Sequence, residues 1–60
     1  MKKQDSINIY SRINDLIQEL TDYQGEYSED TPIHDSFYRA IEGLSEAQNE
    51  IDVMSKFLTD

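Results

Sequence analysis

Sixty residues, with 13 acids against 5 bases and no cysteine, give a formal charge of −8. A chain of this length supports one domain at most, with a core near the minimum for independent folding. Disulfides and thiolate metal sites are excluded, and the acidic field argues against direct binding of DNA, RNA or anionic lipid, because all three are themselves anionic.

The N-terminal MKKQDSINIY carries two lysines with no apolar run behind them, so it does not read as a secretory signal. No stretch approaches the ~20 apolar residues of a membrane span. A soluble protein is expected, and the lack of cysteine is compatible with a cytoplasmic location.

The first predicted element is a helix over about 6–24. Ile9, Ile13, Leu16, Leu20 and Tyr23 recur at alternating spacings of four and three, and Tyr10 and Ile17 widen the stripe. Ile7 and Ile9 hint at strand alternation, but the longer period outweighs them. Asp5 or Ser6 is the expected N-cap and Gly25 the expected stop. A loop over about 25–31 follows.

Thr31-Pro32 reads as a second helix start, with threonine as N-cap and proline at the first helical position, where its missing N–H is harmless. Asp35 is a fallback cap. This helix is expected over about 32–58. Phe37, Ala40, Leu44, Ala47, Ile51, Met54 and Leu58 form a heptad seam that Ile33 extends and Ile41 widens. Ala40, Gly43 and Ala47 thin the middle of the helix, which suits close approach of a neighbouring helix. Asp35 to Arg39 and Asp52 to Lys56 are placed as i,i+4 ion pairs.

The expected fold is therefore all-α: an antiparallel two-helix hairpin, pairing with a second copy into a dimeric four-helix bundle. Both apolar stripes are broader than one seam, so a single hairpin is expected to leave Tyr10, Ile17, Ile41 or Phe57 wet. The expected core and dimer residues are Ile9, Ile13, Leu16, Ile17 and Leu20 on the first helix. On the second they are Phe37, Ala40, Ile41, Leu44, Ala47, Ile51, Met54 and Leu58.

No catalytic constellation is legible. The single histidine, His34, lies in a helix first turn, which marks it as a surface residue rather than a ligand or proton carrier. Gly25 and Gly43 are isolated and make no phosphate loop. No Glu-x-x-His motif of a di-iron bundle occurs. Glu26, Glu29, Asp30 and Asp35 lack the alternating oxygens and turn glycine of a calcium loop. Neither an enzyme nor a cofactor is expected.

The carboxylates themselves are patterned. At ~100° per residue, Asp15, Glu19, Asp22 and Glu26 fall in one strip on the first helix. Asp35, Glu42, Glu46 and Glu50 share the outer side of the second. Steps of one turn, ~5.4 Å, resemble the spacing of phosphates along a nucleic-acid strand.

Val53 and Phe57 project beside Glu46 and Glu50, and Tyr38 lies near Glu42. Glu42, Glu46, Glu50, Val53 and Phe57 are accordingly the expected contact residues for a protein partner with a basic surface, with Asp15, Glu19 and Asp22 adding field. Such an inhibitor or regulator, directed at a basic and even nucleic-acid-binding site, is of a kind that phages and other mobile elements encode. The competing expectation is a structural or chaperone-like hairpin that holds a partner helix on its apolar faces.

Overall fold

The computed structural model describes residues 1–58, with residues 59 and 60 outside the described part. The described residues form two helices and no strand: α1, Lys3–Gln24, and α2, Pro32–Ser55. They pack antiparallel into a rod of 45 × 15 × 11 Å.

α1 begins earlier than the expected cap at Asp5 or Ser6. Lys2 is the N-cap, with extended backbone, and Asp5 sits one turn inside, where its carboxylate accepts from the Lys2 N–H at 3.3 Å. A carboxylate there satisfies a free donor and meets the positive end of the helix dipole. Ser6 is already helical. Its hydroxyl donates to the Lys3 carbonyl at 2.6 Å, which lets this polar residue sit 1% exposed against the other helix.

Gly25 does end α1, but in the right-handed region (φ −63°, ψ −15°), so its left-handed freedom is unused. The chain leaves through tight turns instead, Glu26 N–H to Tyr23 C=O at 3.0 Å and Tyr27 N–H to Gln24 C=O at 3.1 Å. Thr31 caps α2 as expected: its hydroxyl oxygen accepts from the His34 N–H at 3.3 Å, and Pro32 follows at the first position. The same hydroxyl donates to the Ser28 carbonyl at 2.6 Å. α2 stops at Ser55 rather than continuing to 58. Phe57 N–H to Met54 C=O (3.0 Å) and Leu58 N–H to Ser55 C=O (3.2 Å) tighten the end into turns.

The seam between the helices differs from the expected heptads. α1 presents Ser6, Ile13, Ile17, Leu20 and Gln24, and α2 presents His34, Phe37, Ile41, Leu44, Gln48, Ile51 and Ser55, with Leu58 in the turn beyond it, all buried or half-buried. Ile9, Leu16, Ala40 and Met54, expected in the seam, are exposed, as is Tyr23. Ala47 is half-buried.

Each helix is thus turned by roughly 60°, a little over half a residue step. The stripes were wider than one helix contact, and polar fit chose the rotation. Gln48, 8% exposed, donates from its side-chain amide to the Tyr10 carbonyl at 3.2 Å, across the hairpin. Ile17 and Ile41, expected to be wet, lie in the seam instead.

In the thinned middle of α2, Gly43 meets nothing in its own hairpin. A Cβ built on Gly43 finds no atom within 4 Å. Among the described residues no hydrophobic side chain is fully buried.

Candidate acidic interface

Every described Asp and Glu is exposed. Two of the expected ion pairs separate here: Asp35 and Arg39 close at 3.0 Å, whereas Asp52 and Lys56 form no ion pair among the described residues.

Of the expected contact residues, Glu46, Glu50 and Val53 come together on the outer side of α2. Glu46, Asn49, Glu50, Val53 and Met54 line one shallow, open concavity. Val53 is 55% exposed, and Phe57, in the turn after α2, is 81% exposed. An uncovered phenyl ring costs solvation, since it leaves roughly 150 Å² or more of apolar surface available for contact. Glu50 and Glu46 stand about one and two turns before Val53, and about two and three before Phe57. The result is an apolar anchor inside an anionic frame. Asn49 and Met54 complete the lining of the concavity; the sequence pattern offers no role for Asn49 and assigns Met54 to the seam, although their spacing of three and eight from Glu46 was the available signal.

Glu42 stands one turn further toward the loop. The Tyr38 phenol hydrogen-bonds its carboxylate, and that bond, with the negative charge behind it, pushes the phenol above its usual value. Asp15, Glu19 and Asp22 are on the far side of α1. Helical geometry turns them away from α2, so a single hairpin carries its two carboxylate strips on opposite edges.

The loop adds a different kind of surface. The Tyr23 and Tyr27 rings stack on Phe37 at centroid distances of 6.3 and 5.9 Å, so these tyrosines close the hairpin end. The Ser28 hydroxyl donates to the Asp30 carboxylate, and this bond holds Asp30 below its usual carboxylate range. Among the described residues no group of three or more His, Asp or Glu is placed to hold a metal ion. No helix is long and apolar enough to cross a membrane.

At the other end, Ser6, Ile7, Tyr10, Ile51, Asp52 and Ser55 surround an open hollow of about 150 Å³. It depends on the antiparallel register and therefore left no trace in the sequence pattern. Its lining includes one carboxylate, Asp52, and three hydroxyl-bearing residues, Ser6, Tyr10 and Ser55.

The geometry defines a class: an all-helical hairpin with an apolar anchor framed by carboxylates. Against family models, curated proteins and solved structures, the chain gives no match.

Proposed function

We propose that this chain is a small acidic, non-enzymatic interaction protein, an inhibitor or regulator that acts as a homodimeric four-helix bundle on a basic site of a larger protein. One observation carries the reading: Val53 stands exposed outside the helix–helix seam beside Glu46 and Glu50, and Phe57 is exposed in the turn that follows. An exposed aromatic in this setting supplies contact energy on desolvation, while surrounding charge steers encounter and rejects acidic competitors. The sites it suits include those that ordinarily hold a nucleic-acid backbone, because the carboxylates repeat once per turn.

The test uses purified basic nucleic-acid-binding domains as probes, with a DNA duplex as competitor. The pair of changes Glu46→Lys and Glu50→Lys lowers affinity by about tenfold or more, equivalent to about 1.4 kcal/mol, with helix content unchanged. Binding weakens with added salt and is displaced by the duplex. Binding that ignores both charge reversal and salt removes this reading.

A further inference from the structure

The surface left uncovered by the hairpin is one-sided. Leu16 precedes the α1 seam residue Ile17 by one position, Ile9 precedes Tyr10, whose carbonyl meets Gln48 across the hairpin, and Ala40, Ala47 and Met54 precede seam residues of α2. Antiparallel helices wind in opposite senses when viewed from one end, so residues displaced the same way along each chain fall on the same side of the pair. One broad face of the hairpin therefore gathers these apolar residues, with Asp5 and Arg12, which likewise precede seam residues, at its open end. The residues that follow the seam, among them Asn14, Gln18, Thr21, Ser45 and Asn49, make the other broad face mostly polar, with Ile7 and Tyr38 as its exposed apolar exceptions.

The apolar face has relief. Leu16, 42% exposed, belongs to a ridge on α1, while Ala40, Gly43 and Ala47 make a trough on α2. The Gln48–Tyr10 bond and the Phe37–Tyr23 stack fix which residues stand level, and they put Leu16 level with Gly43.

Area argues for a cover. The chain exposes 4660 Å², against about 4,000 Å² for a compact protein of this mass. The excess, of order 600 Å², approaches the ~800 Å² that each partner contributes to a standard interface.

We infer that this face is covered by a second copy related by a twofold axis parallel to the helices, with Leu16 of each chain seated in the Ala40–Gly43–Ala47 trough of the other. This deepens, and rests on, the homodimeric reading above. That axis sets α1 against the other copy's α2, antiparallel and at the same level, so ridge meets trough at both ends of the operation. The alternative, an axis across the helices, sets ridge on ridge and trough on trough, leaving a void over Gly43.

The pairing also assembles the acidic surface. In one hairpin, Asp15, Glu19 and Asp22 face away from Glu42, Glu46 and Glu50. In the dimer, the α1 strip of one copy lies beside the α2 strip of the other, along the same wall. Each wall then carries both sets of carboxylates with one Val53–Phe57 anchor, and the bundle has two such walls. The like charges repel, so added salt tightens the dimer, the opposite of its effect on a basic partner.

The native chain has no cysteine, which makes cross-linking a clean test. Chains carrying Leu16→Cys are mixed with chains carrying Gly43→Cys, equilibrated and oxidised, while sedimentation of the unaltered chain is followed across salt concentration. The expected result is a mixed disulfide dimer several-fold more abundant than the self-linked product of either variant alone, because only 16-to-43 pairs come within disulfide reach. The unaltered chain sediments as a dimer that tightens with salt.

Efficient self-linking of Leu16→Cys overturns the proposed axis. A chain that stays monomeric overturns the pairing, and gain of helix by such a monomer on mixing with a foreign amphipathic helix assigns the face to that occupant instead. Charge reversal at Glu46 and Glu50 leaves the cross-link intact, so loss of partner binding and loss of pairing are read separately.

Discussion

The two ends of the rod are held by different chemistry. At the loop end, three aromatic rings stack across the helices, and Thr31 gathers the loop with both its hydroxyl and its backbone N–H. At the open end, Ser6, Gln48 and Ser55 share the seam with Ile51 and Leu58, and the only cross-hairpin side-chain hydrogen bond described is Gln48 to Tyr10. Charge divides along the same line. Lys2, Lys3 and Lys56 share the open end with Asp5 and Asp52, while Asp22, Glu26, Glu29, Asp30 and Asp35 cluster toward the loop with Arg39 paired to Asp35. Apolar contact can hold helices together with little directional demand, whereas a buried amide holds them only in the one register that satisfies it. The loop end thus supplies adhesion, and the open end supplies alignment.

The sharpest way to break this contrast is Phe37→Ala. The ring is the middle of the stack and is half-buried, so its removal costs about 2–3 kcal/mol, below the range for a fully buried phenylalanine. Domains of this size have only about 3–9 kcal/mol in all. Thermal unfolding followed by circular dichroism, at one fixed protein concentration because assembly shifts the midpoint, therefore moves down by roughly 10–20 °C. A shift of only a degree or two shows that the stack is ornamental and the ends are alike.

Gln48→Ala is the matching change at the open end, and it costs less. The variant loses one neutral hydrogen bond and some packing, about 1 kcal/mol net, which lowers the midpoint by about 5 °C. Its clearer effect is on alignment: amide hydrogen exchange accelerates from Ser6 to Ile13 and from Gln48 to Ser55, while the stacked end keeps its protection. Uniform acceleration along both helices contradicts the division of labour.

The same contrast explains what was legible in the sequence. Local signals gave the elements: Thr31-Pro32 marks the start of α2 because cap and proline chemistry act within one turn, and Gly25 marks the end of α1. The 3.6-residue period gave two amphipathic helices. The rotation of those helices was not legible, since Ile9–Leu16–Tyr23 and Tyr10–Ile17–Gln24 are neighbouring stripes that share Ile13 and Leu20. Hydrophobicity alone favours the first, whereas Gln48 and Ser6 select the second by satisfying their polar groups locally and across the hairpin.

Candidate contact residues fared similarly. The spacing of Glu46, Glu50 and Val53 sufficed to place them together on α2. That Asp15, Glu19 and Asp22 lie on the opposite edge of a single hairpin follows only from the antiparallel pairing.

The smallest expected effect is on the outside of the stacked half, where pH reads the Tyr38–Glu42 contact. The phenol is raised because its protonated form donates to the Glu42 carboxylate and its ionised form is repelled by it. Linkage follows from that direction. A phenol with a higher value in the folded state contributes stability that is fully present below the unfolded phenol's value, near 10, and is lost as pH rises through the folded value. Tyr38 is 51% exposed, so solvent screens the contact and the effect on unfolding is small. The ring carbons of Tyr38, followed by nuclear magnetic resonance as pH is raised, titrate above free tyrosine in the native chain. In Glu42→Gln, the charge is gone and the titration moves back toward the free value. An unchanged titration in that variant means the carboxylate does not reach the phenol. The Phe37 stack lies on the inner side of the same helix, so its unfolding midpoint at neutral pH is indifferent to the exchange. This separates what the outer surface of α2 presents from what its inner surface holds together.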